Sequence, residues 1–287
     1  MSRGFQPAIT IKEAIDNIDA NKFLLPAIQR KFVWSTEQIE LLFDSIIREY
    51  PINSLMLWEI TSEEIKKNYK FYSFLRKYVQ RHGEMNEALN TNSSSDFYAI
   101  IDGQQRLNSL YIGLKGTYAT KLPHKYWTYS EDNFPPKKLY LNIKSENKTN
   151  TEIDKLYEFS FLTSAKVERD NGEGKKYWFE VGDVLNLKSP RDQYNYLKGI
   201  GLEENEFAGT TLDKLSMVIN TEKSLNYYVE DEQDQDKVLD IFIRTNDGGT
   251  QLSFSDLLMS VLTANWTDAR ERFDELKKEV NQFGEFS

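Results

Sequence analysis

Residues 97–116 read FYAIIDGQQRLNSLYIGLKG, and the fold class turns on them. Residues 97–101 form an apolar run short enough to be a buried strand. Residues 107–114 carry apolar side chains at helical spacing until Gly116 stops them. Between the two lie an acid, a glycine, two amides and an arginine: Asp102, Gly103, Gln104, Gln105 and Arg106. A polar strand-to-helix junction of this kind predicts interleaved strands and helices.

The rest of the chain repeats that alternation. TIKEAI (10–15) sets Thr10 three residues before Glu13, and STEQIELLFDSIIREYP (35–51) sets Ser35 before Gln38. Both are capping boxes, in which a hydroxyl and a side-chain oxygen each satisfy an orphan amide at a helix start. In the second helix Ile39, Leu42, Phe43, Ile46 and Ile47 recur on one face, and Pro51 is read as its stop. NSLMLWEI (53–60) and KKLYLNI (137–143) read as strands, and residues 61–90 as one or two helices. FSFLTSAKVERDNGEGKKYWFEV (159–181) reads as a hairpin turning at DNGEG. Residues 183–225 are expected to be helical and connecting, and SLNYYVE (224–230) to be a strand. DQDKVLDIFIRTNDGG (234–249) reads as a helix with early acids and a glycine stop. SFSDLLMSVL (253–262) begins a further helix, with Ser253 and Asp256 in box spacing, and a charged amphipathic helix follows it. The expected architecture is α+β with a helical C-terminal part.

Composition excludes several chemistries. The 287 residues are 39% hydrophobic and 28% charged, a balance typical of soluble globular proteins. No apolar run is as long as a membrane span and no signal peptide is visible, so a cytoplasmic location is expected. With no cysteine, disulfides, thiolate nucleophiles and cysteine zinc sites are all absent, and two histidines, His82 and His124, give little material for histidine-metal chemistry. The net charge of −9 repels nucleic acid overall. One stretch runs against it: residues 66–81 hold Lys66, Lys67, Lys70, Arg76, Lys77 and Arg81 with no acid. It reads as a helix with a solvated cationic face, with a phosphate-tracking patch as the sharper alternative.

The junction at 102–106 can be read chemically. A glycine there lets the backbone approach a ligand, and the first amides of the helix then point at an anion, for which phosphate is the natural guest. Arg106 could hold that phosphate bidentately, while Gln104 and Gln105 could donate to it or orient a water. Asp102 could bind a magnesium ion or accept a proton. The spacing is equally compatible with a plain turn in which Asp102 caps the helix and Arg106 makes a salt bridge. Two other stretches are weaker alone: AIQRKFVWS (27–35), an arginine on an entry segment before a β-like KFVW run, and FIRTNDGGTQLS (242–253), which reads as a glycine stop. No GxxxxGK[ST] loop is present, which excludes a conventional P-loop.

Taken in order, LLPAIQRKFVWSTEQIELLFDSIIREYPINSLMLWEI (24–60), IIDGQQRLNSLYIGL (100–114) and FIRTNDGGTQLSFSDLL (242–258) resemble the N-terminal domain family of GmrSD-type modification-dependent restriction enzymes. The resemblance extends from about residue 5 to residue 262. It implies a ParB/sulfiredoxin-like core and a nucleoside triphosphatase role in prokaryotic anti-phage defence, with modified DNA among the things sensed and a separate histidine-metal domain doing the cutting. Carried over, Gln29, Arg30, Gly103, Asn246 and Gly249 bind nucleotide. Asp102, Gln104, Gln105 and Arg106 are the catalytic set, with Asp102 also holding Mg2+. The nucleotide is GTP, ATP or CTP. Residues 1–265 are expected to form this domain and 266–287 the start of a charged helical segment. The nuclease is then a C-terminal region outside the chain or a separate partner, and a homo-oligomer is left open. One departure is local: the family continues its motif with Leu-Thr, whereas Leu107 is followed here by Asn108 and Ser109. Two alternatives stay open, a non-catalytic DNA- or partner-binding module and a ParB-like nuclease.

Overall fold

The computed structural model describes residues 3–28, 31–80, 86–125, 131–147 and 155–246, with isolated positions between 262 and 279. In chain order its main elements begin β1 (Gly4–Ile9), α1 (Ile11–Asp19), β2 (Phe23–Pro26), α2 (Thr36–Ile47), β3 (Leu55–Ile60) and α3 (Glu63–Asn68). Then come β4 (Phe71–Tyr72), β5 (Lys77–Val79), β6 (Ala88–Leu89), β7 (Phe97–Asp102), α4 (Gln104–Lys115), β8 (Thr117–Ala119) and β9 (Pro136–Asn142). The chain continues through β10 (Phe159–Leu162), α5 (Ser164–Glu173), β11 (Trp178–Glu180), α6 (Pro190–Gly199), α7 (Glu206–Ser216), β12 (Leu225–Glu230) and α8 (Gln235–Asn246).

Two sheets organise these elements. The larger has the order β1-β12-β3-β7-β2-β4-β6, and the smaller β10-β9-β8-β5, with β11 also pairing with β9. The fold class is α+β, as expected. Strand β7 is the middle strand of the larger sheet, antiparallel to β3 and parallel to β2. Its Phe97, Ala99, Ile100 and Ile101 are buried, as befits a strand covered on both faces.

Helix α4 is buried on nearly every face and packs against α1, α2, β8 and β9, so it is the element that joins the two sheets. Gly113 makes the approach of α2 possible, because a β-carbon there would stand 2.5 Å from the Phe43 ring. Asn108, the local departure from the family pattern, is fully buried and accepts a 3.0 Å hydrogen bond from the Leu75 amide. The amide that replaces a hydroxyl thus fixes the chain between β4 and β5.

Both capping boxes form. Thr10 accepts from the Glu13 amide at 2.9 Å while Glu13 accepts from the Thr10 amide at 2.7 Å, and Ser35 and Gln38 make the equivalent exchange. The second helix stops at Ile47 rather than at Pro51, and the next residues turn through Glu49 at φ 59°. Strands at 53–60 and 137–143, helical structure across 183–225 and the 224–230 strand are all present within the printed bounds. Gly248, Gly249 and the SFSDLLMSVL stretch lie outside the described residues.

Four readings need correction. Residues 61–90 are not one or two helices: α3 occupies only Glu63–Asn68, and β4, β5 and β6 follow. The basic stretch 66–81 is therefore not a helix with one cationic face. Phe71, Tyr72, Phe74 and Leu75 are buried core residues, and Lys66 itself is buried between Glu63 and Asp96, 2.8 Å from each. The 159–181 hairpin is a strand, helix and strand: α5 lies between β10 and β11, each of which pairs antiparallel with β9, and Gly174 caps the helix at φ 69°. The KFVW run forms no strand.

Helix α2 also stitches the edge strand of the smaller sheet. Glu40 accepts from the Phe161 amide at 3.0 Å, and Asp44, one turn later and buried, accepts from the Tyr157 amide at 2.8 Å. Glu40 thus satisfies an outward amide of the edge strand, and Asp44 one of the residues leading into it. Burial pushes the Glu40 carboxyl up to about 7 from its usual 4.5, against the pull of the Phe161 amide and Lys155. The folded state therefore binds more protons than the unfolded chain between pH 4.5 and 7, and stability falls as pH rises through that window. Glu40→Gln keeps an acceptor for Phe161 and removes the charge. It is expected to be more stable than the wild type by about 1–3 kcal/mol at pH 8 and equal to it near pH 4, read by urea denaturation across pH.

Candidate functional site

The middle strand ends at Asp102, and the chain turns directly into α4 through one residue. Gly103 sits at φ 90° and ψ 8°, a left-handed conformation, and a β-carbon there would run into the Leu55 side chain on β3. Only glycine meets both conditions without strain. The first helical bond runs from the Leu107 amide to the Gly103 carbonyl at 2.9 Å.

Helices α1, α2 and α6 each begin with a capping box, whereas the residue before α4 is Gly103, which has no side chain to cap it. Asp102 therefore does not serve as the cap that a plain turn would have used. The turn thus sets the positive end of the α4 dipole beside the Asp102 carboxylate.

Arg106 does make the salt bridge of the plain-turn reading, with its Nη2 3.2 Å from the Asp102 carboxylate. It does more than that. Nη2 also donates to the Ser54 carbonyl at 2.9 Å, and Nη1 donates to the Ile52 carbonyl. The guanidinium is thus turned inward, binding the turn to the segment that leads into β3. Its side chain is 16% exposed, and burial pulls its pKa below the ordinary arginine value, with Asp102 pulling the other way. It stays charged. Asp102 is 42% exposed and keeps an open side toward solvent.

The two glutamines differ in use. Gln104 is buried at the start of α4. Gln105 accepts from the Val33 amide at 3.0 Å and donates to the Lys31 carbonyl at 3.1 Å, so its amide reads both polar groups of the 31–34 backbone. That contact brings the first predicted stretch to the second. Sheet topology agrees: β2 runs parallel to β7, so both strands end at the same sheet edge, and the chain beyond Pro26 leaves β2 beside the Gly103 turn. Gln29 and Arg30 themselves lie outside the described residues.

The third predicted stretch enters through α8, whose Val238 and Phe242 are buried and which packs on β7. Asn246 closes that helix, but its side chain and Gly249 lie outside the described residues. Sequence reasoning missed the carbonyls of Ile52 and Ser54, Leu55 against Gly103, and the Lys31 and Val33 backbone. No residue-type signal could have shown the backbone groups, because every residue offers them.

Among the described residues no group of three or more His, Cys, Asp or Glu is placed to hold a metal ion. One half-exposed carboxylate fits Mg2+ carried in with phosphate oxygens and water as its other ligands, and does not fit an all-protein cage. A separate concavity of about 470 Å3 lies at the far end of α4, roughly 17 Å away along the helix. Its Lys12, Arg76, Lys115 and Lys188 alternate with Asp16, Glu180 and Asp183, and it does not reach the motif. No helix among the described residues is long and apolar enough to cross a membrane.

Comparison with known proteins places this geometry in context. Residues 11–263 match the family model described as GmrSD restriction endonuclease, N-terminal domain. The uncharacterized protein MJ0686 of Methanocaldococcus jannaschii is 26% identical over 271 residues, covering 86% of this chain and 41% of that protein. The chain thus spans about two fifths of the length of this relative.

Proposed function

Because the chain belongs to the family of GmrSD restriction endonuclease N-terminal domains, we propose that it is the NTP-binding and NTP-hydrolysing regulatory domain of a modification-dependent DNA restriction protein. The observation that carries the reading is the left-handed Gly103 turn from the end of β7 into α4, beside the half-exposed Asp102. Phosphate oxygens are natural acceptors for the first-turn amides there.

Within this reading the residues divide their work. Backbone amides after Gly103 hold the phosphates, and Gln29, Arg30, Asn246 and Gly249, which match the family's motif stretches, are assigned to nucleotide binding. Asp102 holds Mg2+ or takes the proton of the attacking water. When bound, Mg2+ would neutralise charge on the phosphate oxygens. Gln105 is engaged with the 31–34 backbone, and Gln104 is the glutamine proposed to orient the attacking water. Arg106 holds Asp102 and the turn in place and supplies positive charge from behind them. Modified DNA as the sensed ligand, a nuclease in the same or a partner chain, and a ParB/sulfiredoxin-like ancestry of the core belong to the same proposal.

One observation favours a second reading, a module that binds nucleotide, DNA or a partner without turnover. Of the four residues expected to do chemistry, Gln105 and Arg106 have side-chain donors engaged with backbone carbonyls.

Melting curves and phosphate release with GTP, ATP and CTP, each with Mg2+, separate the two. At least one nucleotide is expected to raise the melting temperature, with stabilisation of about 2.7 kcal/mol at 100 times its Kd, and to release phosphate. Stabilisation without release supports the binding module. Neither effect with any nucleotide sinks both nucleotide readings.

A further inference from the structure

We propose that Gln105 is a positioning residue: its side-chain amide ties the 31–34 segment to the strand-to-helix turn and thereby presets the nucleotide site, a role that rests on the nucleotide-binding reading above. Gln105 was expected to orient water, and its surroundings point elsewhere. The side chain is 8% exposed, and both ends of its amide are used, with Oε1 accepting from Val33 and Nε2 donating to Lys31. In effect the amide imitates a neighbouring strand, which needs a donor and an acceptor on one flat group. A carboxylate lacks the donor, and a thioether lacks the donor and accepts only weakly.

The segment it holds has no strand or helix of its own. Two further fixings come from the smaller sheet. The Tyr118 hydroxyl on β8 donates to the Trp34 carbonyl at 2.9 Å, and Phe32 is buried with its ring edge-on to Tyr78 at 5.6 Å. Val33 shows what the arrangement imposes: its side chain is one of the more exposed apolar groups, at 58%, while its amide is turned inward to Gln105. The segment is therefore a strap pinned from the start of α4 by Gln105 and from the smaller sheet by Tyr118. Its ordering is set before a ligand arrives. Binding to a site whose strap is ordered only part of the time is weakened in proportion to that fraction.

A positioning residue and a water-orienting residue leave different kinetic traces. Gln105→Met keeps the length of the side chain and removes both bonds. Tyr118→Phe removes one hydroxyl and leaves the motif intact. For the triphosphate that wild type uses, with Mg2+, Gln105→Met is expected to raise KM about tenfold and to leave kcat within about threefold. Tyr118→Phe should move KM the same way by a smaller factor. Hydrogen exchange at the Val33 amide, measured without nucleotide, should speed up about tenfold in Gln105→Met.

Unchanged Val33 exchange overturns the strap itself. Faster exchange with unchanged KM overturns its bearing on the nucleotide, as a purely structural bond would. A fall in kcat at constant KM returns Gln105 to the reacting water and also overturns the proposal. If wild type handles no nucleotide, the functional reading has failed and the role of Gln105 toward a nucleotide falls with it. The Val33 exchange then still decides whether the strap is pinned as described.

Discussion

Arg106→Ala is expected to cost the folded chain about 2–4 kcal/mol and to suppress any nucleotide turnover together with it. The guanidinium joins three partners that are distant in sequence or on a different element: the Ile52 and Ser54 carbonyls before β3, and Asp102 at the end of β7. Hydrogen bonds to a charged group are worth about 1.5–3 kcal/mol each, and removing one member of a part-buried pair leaves the others without a partner. Arg106→Lys should recover less than half of the loss, since an ammonium cannot span the two carbonyls and the carboxylate as the planar fork does. Urea denaturation gives the stability, and phosphate release at a temperature where the variant is folded gives the activity. Wild-type stability in Arg106→Ala would contradict the inward fork. Equal phosphate release by folded variant and wild type would remove Arg106 from the mechanism altogether.

Gly103→Ala is expected to be nearly as damaging, about 2–3 kcal/mol, through strain rather than lost bonds. At φ 90° any β-carbon is disfavoured, which costs on the order of 1–3 kcal/mol, and here the new carbon also meets Leu55. Relief can come only by moving the turn or the β3 side chain, and a moved turn re-aims the first amides of α4. Nucleotide affinity should therefore fall further than stability alone explains. Gly174→Ala is the matched comparison: it too is left-handed, at φ 69°, but nothing lies within 4 Å of an added β-carbon. It should lose only the conformational part, about 1 kcal/mol, and keep nucleotide affinity. Equal losses in the two variants would show that Leu55 does not constrain the turn.

What was legible in the sequence was what local rules encode. The boxes at Thr10 and Ser35 named two helix starts because both partners sit three residues apart. The FYAII run gave the middle strand because five consecutive apolar residues have no place outside a core. Strands β4 and β6 have two residues each, too short to show a period of two, and their aromatic and basic neighbours read as a helix. Helix α5 escaped notice because it buries none of its residues and so has no apolar stripe, while its final turn uses the Asn-Gly pair that announces hairpins. At the candidate site, residue types and spacing located the turn but could not orient Arg106 or Gln105. Their partners are backbone groups 52 to 74 residues away along the chain. That Gly103 and not Asp102 is the residue before α4 was likewise a matter of geometry.

The central claim is that the Asp102 and Gly103 turn is where a triphosphate is held and cut. Asp102→Asn tests it most directly, because an asparagine oxygen can still accept from Arg106 while the charge that would hold Mg2+ or take a proton is gone. The measurement is Mg2+-dependent phosphate release by wild type and Asp102→Asn, each confirmed as folded, with GTP, ATP and CTP. The account predicts release by wild type from at least one nucleotide and a loss of about a hundredfold or more in the variant. Equal release by the two proteins would contradict it.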